Sequence, residues 1–220
     1  EAMAWEYCGS KNRLLGNYLD AINSYIKSSE LYRELGVKKR EALTYFYLGT
    51  TFSANDDNIN ALKYMWQSIP IFTVMEDSAN LSDVFLNIGE TYRRINVLDS
   101  AEFYFNKALR IKENFDDDLG KLLIIGNIGL VHSAQGKTEL AKSEINSAIE
   151  VFSKKGDSYL TSYFQSEIAD IYVREGEKTT GEKLLLNSLE IARQESLKEQ
   201  IRDISLKLAV FYEKKSQFDK

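Results

Sequence analysis

Histidine and cysteine, the side chains that most often supply nucleophiles, general bases and metal ligands, each occur once in the 220 residues, as His132 and Cys8. A zinc site needs three or four such ligands, and a catalytic triad needs a histidine beside a nucleophile. A single cysteine also excludes an internal disulfide. We interpret His132 and Cys8 as packing residues. The sequence therefore predicts no catalytic residue, no metal site and no cofactor, and we do not expect an enzyme.

One acidic run, FDDDLG from Phe115 to Gly120, carries carboxylates of the kind that bind calcium. The run lacks the alternating ligand positions of known calcium loops. Aspartates at the start of a helix are favourable in any case, because they complement the positive end of the helix dipole. We interpret the run as the beginning of a helix.

Three arginines, Arg93, Arg94 and Arg174, could hold a carboxylate or a phosphate by bidentate hydrogen bonds. They also fall in the last turn of predicted helices, where a cation offsets the helix dipole. Both interpretations stay open, and the second is the simpler one.

Composition limits the class of protein. Hydrophobic residues make up 44%, a single proline is present and the formal net charge is -5. Few helix breakers favour long helices. Nucleic-acid binding requires a basic surface, which a chain with a net negative charge does not suggest. No apolar run is long enough for a membrane span. We expect no nucleic-acid or membrane contact by this segment.

The chain repeats itself every forty residues, and the repeat is clearest in the small residues. The first small position reads Gly9, Gly49, Gly89, Gly129, Ala169 and Ala209. The second, twelve residues later, reads Ala21, Ala61, Ala101, Ala141 and Gly181. Four residues further on stand the bulky residues Tyr25, Met65, Phe105, Ile145 and Leu185.

The spacing predicts a pair of helices, A and B, in each repeat, because apolar residues recur at three and four positions. Small residues would let the two backbones approach, so Gly89 and Ala101 should be buried, whereas Lys142 should be exposed. Pro70, inside a helix B, should cause a kink. Turn residues such as Gly16, Gly36 and Asn96 separate the helices, and Ser196 with Glu199 resembles a capping box. The predicted helices are 2–15, 18–35, 38–54, 58–75, 78–95, 98–115, 118–135, 138–155, 158–175, 178–194 and 197–215.

At these spacings the chain resembles the tetratricopeptide repeat (TPR) family. The third repeat carries the resemblance best, with Phe85, Ile88, Gly89, Tyr92, Ala101, Phe105 and Ala108, and the first supplies Trp5. The period is forty residues rather than thirty-four and the usual proline at the end of helix B is absent. This variant is similar to the repeats of three kinds of protein: kinesin light chains, bacterial peptide-sensing regulators and bacterial sensor kinases. The resemblance implies an all-α, right-handed solenoid of antiparallel helix pairs.

The same resemblance implies that a ligand lies on the concave wall formed by the A helices. The implied peptide-binding residues are Phe46, Tyr47, Thr50, Asn87, Glu90, Arg93, Arg94, Leu123, Asn127, Tyr163, Asp170 and Arg174. Asn87 and Asn127 share the context Asn-Ile-Gly one repeat apart. A carboxamide both donates and accepts hydrogen bonds, so it can pair with a peptide backbone whatever its sequence. The alternative is that the two asparagines only tie neighbouring helices together.

The leading hypothesis is a scaffold that binds a protein or peptide segment in its groove, as the sensory or interaction part of a larger bacterial signalling protein. The alternative is an assembly or oligomerisation module that acts through its convex face or its ends. The compartment stays open: outside the cytoplasm for the sensor of a membrane kinase, otherwise cytoplasmic.

We expect one repeat domain over residues 1–220. Its units would be 2–41, 42–81, 82–121, 122–161, 162–201 and a partial unit 202–220, five full repeats plus the first helix of a sixth. KKSQFDK, from Lys214 to Lys220, aligns with the turn between helix A and helix B. We therefore expect a fragment of a longer protein that continues with another helix, and copies that associate through their C-terminal ends.

Overall fold

The computed structural model describes residues 1–115 and 117–218. Asp116, which the sequence places in a turn, and Asp219 and Lys220 lie outside the described residues. The described residues form eleven α-helices. These are α1 (Ala2–Leu14), α2 (Tyr18–Glu34), α3 (Lys38–Ala54), α4 (Asn58–Val74), α5 (Ser78–Arg94), α6 (Leu98–Glu113), α7 (Asp118–Ala134), α8 (Thr138–Lys155), α9 (Ser158–Arg174), α10 (Lys178–Gln194) and α11 (Lys198–Phe218).

The all-helical repeat fold is confirmed, with five A–B helix pairs followed by the A helix α11. From α3 onwards each A helix begins forty residues after the last, at Lys38, Ser78, Asp118, Ser158 and Lys198. The predicted boundaries agree within two residues except at the end of the last helix. That prediction was wrong, because α11 continues to Phe218 where a turn was expected after residue 215.

The chain divides into two compact units. The first is Glu1–Asp117, with α1 to α6, and the second is Asp118–Lys220, with α7 to α11. In the first, each A helix packs against its own B helix and against the B helix before it. The second unit packs in the same way, and its core stacks the rings of Phe152 and Phe164 with centroids 6.1 Å apart. Repetition of one contact therefore builds each unit.

That contact is a large side chain of helix B lying on a glycine of helix A. A Cβ atom added at Gly89 would lie 2.7 Å from a ring carbon of Phe105, and one at Gly49 would lie 2.5 Å from Cγ of Met65. Real side chains do not come so close, so a larger residue at Gly49 or Gly89 would have to displace the side chain of helix B. Gly89 and Ala101 are buried, as predicted.

The fifth pair exchanges the two small residues. Ala169 replaces the glycine on α9, and Gly181 replaces the alanine on α10. A Cβ at Gly181 would lie 2.4 Å from Cγ2 of Val173 and 2.9 Å from the carbonyl oxygen of Ala169. The glycine has moved to the other helix, and the close backbone approach is preserved.

Buried serines fasten the ends of the pairs. Ser28 donates to the carbonyl of Ala2, Ser82 to that of Ala108 and Ser162 to that of Ser188, each across 26 residues of sequence. All three serines are fully buried. A hydrogen-bonded hydroxyl can be buried at little cost in free energy. These serines therefore join helix A to helix B in three of the pairs while the contact between the helices stays closely packed.

The turns use left-handed residues at two sets of equivalent positions. The first set is Gly16, Asp56, Asn96, Gly136 and Gly176, and the second is Gly36, Glu76, Gly156 and Ser196. The capping-box prediction for Ser196 was therefore wrong, because its φ of 57° places it in the turn that ends α10. Glu76, with a φ of 53°, carries no turn signal in its residue type.

Lys142 is not exposed, contrary to expectation. Only 15% of its side chain is accessible, because it pairs with Glu175 and Glu177 and its Nζ lies 4.6 Å from the ring centre of Tyr172. The next helix pair covers this side of α8, and the long lysine stem packs beneath the charge.

Pro70 is exposed and lies inside α4, which is continuous from Asn58 to Val74. The kink expected at this proline stays a prediction.

The different burial of two equivalent positions predicts different costs for the same substitution. Ala169 is buried, whereas Ala209, forty residues later, is exposed. We expect Ala169→Leu to lower the free energy of unfolding by about 1–3 kcal/mol through overpacking. Ala209→Leu should change it by less than about 0.5 kcal/mol. Urea unfolding of both variants checks this, and equal losses would contradict the different burial of the two positions.

The strained turn predicts a stabilising change. Glu76→Gly should raise the free energy of unfolding by about 1 kcal/mol, because glycine removes the cost of a left-handed conformation. Glu30→Gly, at an exposed position inside α2, is the matched control and should lower it by about 1 kcal/mol. Thermal melts that move in the same direction for both variants would rule out this account of Glu76.

Candidate functional site

A helices contact one another in each unit, and we call the surface that carries the predicted binding residues the inner face. In the first unit it comprises Phe46, Tyr47, Thr50, Asn87, Glu90, Arg93 and Arg94, on α3 and α5. In the second it comprises Leu123, Asn127, Tyr163, Asp170 and Arg174, on α7 and α9. Contacts between α3 and α5 and between α7 and α9 place each set on adjoining helices.

Arg94 ties α5 to the end of α3. Its guanidinium donates to the carbonyl oxygen of Ser53 at 2.7 Å and to the Ser53 hydroxyl at 3.0 Å, and it pairs with Asp56. Arg174 repeats the contact in the second unit and donates to the Ser133 hydroxyl, again 41 residues back. These arginines act first as fasteners between neighbouring A helices.

Arg93 is neutralised within its own helix. It forms a bidentate pair with Glu90, with N···O distances of 2.9 and 2.6 Å. Both side chains are half-buried. An anion at Arg93 would have to displace Glu90, so this arginine is a weak candidate for anion binding.

The two asparagines differ in their surroundings. Asn87 is half-buried and donates from Nδ2 to the carbonyl of Asp83 at 2.8 Å. Asn127 is only 5% exposed, donates to the carbonyl of Leu123 at 2.9 Å and accepts from the Tyr163 hydroxyl at 3.5 Å. Asn127 thus links α7 to α9, as the alternative interpretation expects, whereas the Asn87 carboxamide lies closer to the surface.

Aromatic rings line the inner face of the first unit. Phe46 and Tyr47 lie with ring centres 6.1 Å apart, and Tyr47 also contacts Tyr25 at 5.8 Å. Both are half-buried, and each packs on its inner edge against the core. Thr50, beside them, donates its hydroxyl to the carbonyl of Tyr47. The surface offers apolar contact, and the Thr50 hydroxyl is already bonded within α3.

A half-buried carboxyl, that of Asp83, lies at the other end of this face. Burial raises the pKa of Asp83 above its ordinary value, and Lys112, with its Nζ 3.6 Å away, opposes that rise. Lys112 also bonds Asp117 at 2.9 Å. The group joins α5 to α6 and to the residues that follow α6.

Sequence reasoning missed the contribution of α11 to the inner face of the second unit. Lys207, Val210 and Lys214 stand forty residues after Glu167, Asp170 and Arg174. The signal was present in the repeat register, but the implied wall stopped at the fifth repeat. Contacts between α9 and α11 bring these residues onto the same face.

Lys207 is the most strongly paired cation of this face. Its Nζ lies 2.7 Å from Glu167, 2.9 Å from Asp170 and 3.1 Å from the carbonyl of Ser166. Burial lowers the pKa of Lys207, but the two carboxylates outweigh it, so the pKa lies above its ordinary value. Lys207 therefore stays charged and holds α11 against α9.

Across residues 1–115 and 117–218, no three histidine, cysteine, aspartate or glutamate side chains are grouped so that they could hold a metal ion. His132 is buried, and its Nδ1 lies 2.7 Å from Glu144. Within the same residues, the helices are too short or too polar to span a bilayer.

Comparison with known proteins shows which proteins this chain resembles. Residues 82–115, the repeat with the clearest signature, match the tetratricopeptide repeat family. The resemblance to TPR proteins and the repeat fold with its forty-residue period are confirmed. The sequence is 24% identical over 196 residues to the regulatory protein RapG of Bacillus subtilis strain 168, covering 89% of this chain and 49% of RapG. The chain thus spans about half the length of that relative.

Two solved structures show the same fold. The apo form of RapI superposes with a TM-score of 0.80 at 13% identity, covering 98% of this chain and 77% of RapI. The Rap conjugation gene regulator of plasmid pLS20, solved with the Phr* peptide, superposes with a TM-score of 0.77 at 19% identity. That superposition covers 94% of this chain and 57% of the regulator.

The different burial of the two asparagines predicts different effects on stability. Asn127→Ala should lower the free energy of unfolding by about 1–2 kcal/mol, because it removes buried bonds on two helices. Asn87→Ala should lower it by less than about 0.5 kcal/mol. Urea unfolding measures both, and a loss at Asn87 as large as at Asn127 would contradict the assignment.

Proposed function

We propose that the chain is a scaffold that binds a peptide or an extended protein segment along the inner faces of its A helices. The observation that carries this is the inner face of the first unit, where half-buried aromatic rings adjoin a near-surface carboxamide and charges of both signs. Extended peptides need apolar pockets for side chains and polar groups for the backbone.

The relatives support this proposal. RapG is a regulatory protein, and the pLS20 regulator was solved with a bound peptide. The pLS20 regulator also shares the fold of this chain. We further infer that the chain is the sensory or interaction segment of a larger bacterial signalling protein, and that ligand occupancy is passed to other parts of that protein.

One observation favours a second candidate, an assembly module. The outer B helices of the first unit expose large apolar side chains, with Ile59 83%, Trp66 45% and Phe103 54% accessible. Scattered apolar residues are normal on protein surfaces, but several on one face can form an interface. A binding experiment can separate the two candidates, because they use opposite faces.

The experiment selects binders for the purified chain from a random peptide library and measures their affinity by fluorescence anisotropy. Asn87→Ala should weaken a selected peptide about tenfold, since it removes one backbone-directed hydrogen-bonding group. Phe103→Ala, on the outer face of the same unit, is the matched control and should leave affinity unchanged. A selected peptide that loses affinity with Phe103→Ala but not with Asn87→Ala would transfer the function to the outer face.

A further inference from the structure

A cavity of about 280 Å³ opens on the inner face of the second unit, where α9, α10 and α11 meet. Its walls have two kinds of lining. The apolar part consists of Val173, Leu185, Val210 and Phe211, and the charged part of Asp170, Arg174, Lys178, Lys207, Lys214 and Lys215. Five cations and one carboxylate therefore surround an apolar floor.

Some of these cations are already neutralised. Lys207 pairs with Glu167 and Asp170, and Lys215 pairs with Glu182 at 3.0 Å. Nearby Glu175 is held by Lys142 on α8.

Arg174 and Lys214 differ from them. Arg174 donates to the Ser133 hydroxyl and, at 3.4 Å, to the carbonyl of Asp170, and Lys214 is exposed. Within the described part of the chain neither side chain forms an ion pair with a carboxylate. Among the described residues, the rim thus has positive charge that no paired carboxylate offsets, next to a surface that favours apolar atoms.

The size of the cavity limits what it can hold. Pockets for whole small ligands are typically about 300–1,000 Å³, so this one is suited to the end of a longer ligand. An aliphatic residue at the C-terminus of a peptide has an apolar side chain and a carboxylate on the same Cα atom. An internal acidic residue would bring the charge without the apolar group.

We propose that this cavity binds the C-terminal residue of a peptide, with an aliphatic side chain on Val173, Leu185 and Val210 and the terminal carboxylate between Arg174 and Lys214. The inference rests on the proposed peptide-binding function and deepens it, because it assigns the chemistry and the direction of one end of the ligand.

The test uses three N-acetylated peptides and the full 220-residue chain. The probes are Gly-Ser-Ala-Leu with a free carboxylate, its C-terminal carboxamide, and Gly-Ser-Ala-Glu carboxamide. Methyl resonances of Val173, Leu185 and Val210, followed by NMR, report on the cavity itself. The free acid should shift these methyls, with an affinity about tenfold higher than that of either carboxamide, because only it brings both groups.

Variants separate binding from folding. Arg174→Gln combined with Lys214→Gln should abolish the preference for the free acid. Since Arg174 also bonds Ser133, Lys214→Gln alone is tested as well and should reduce the preference about threefold. Lys154→Gln with Lys155→Gln, exposed on α8 outside the cavity, removes the same charge and should leave the preference intact.

Equal binding of the free acid and the leucine carboxamide would overturn the inference, and so would preferred binding of the glutamate peptide. Absence of any methyl shift up to about 10 mM peptide would overturn it too. These failures differ from failure of the proposed function. If library-selected peptides bind through Asn87 while the cavity methyls do not respond, the scaffold stands and the C-terminal pocket is rejected.

Discussion

Close approach of two helix backbones at a glycine is the contact on which the rest of this structure depends. Where Phe105 lies on Gly89, no room is left for even one carbon atom. The approach brings the apolar stripes of helices A and B together, and each pair then offers a surface for the next helix. The exchange of roles between Ala169 and Gly181 shows that the constraint belongs to the crossing and not to one helix.

A second set of hydrogen bonds joins neighbouring A helices and so orders the inner faces. Arg94 reaches Ser53, Arg174 reaches Ser133 and Lys207 reaches Ser166, each across 41 residues of sequence. Because each bond joins neighbouring A helices, it limits their sliding and rotation. A binding surface built on such helices is largely preformed, and preformed surfaces lose less entropy when a ligand binds.

Chemical variation on the inner faces occurs at positions where the repeat accepts side chains of different types. One such position reads Tyr47, Asn87, Asn127, Glu167 and Lys207 along the chain. The backbone is equivalent at each place, but the side chain changes from aromatic to amide to acid to base. The small and bulky residues thus build the stack, whereas the inner positions differ in chemistry from one repeat to the next.

The amino-acid sequence by itself determined the helices, their forty-residue register and the crossings at Gly89 and Ala101. These features depend on local periodicity and on residue size, which can be read along one chain. Tertiary structure alone decided the environment of individual polar groups. Asn87 and Asn127 have the same local sequence, but only Asn127 is buried, because Tyr163 of the next A helix lies against it. Lys142 is covered by the following helix pair, and the cavity beside Arg174 needs three helices to form it. Burial and charge pairing depend on residues that are distant in the chain, so a local sequence pattern cannot predict them.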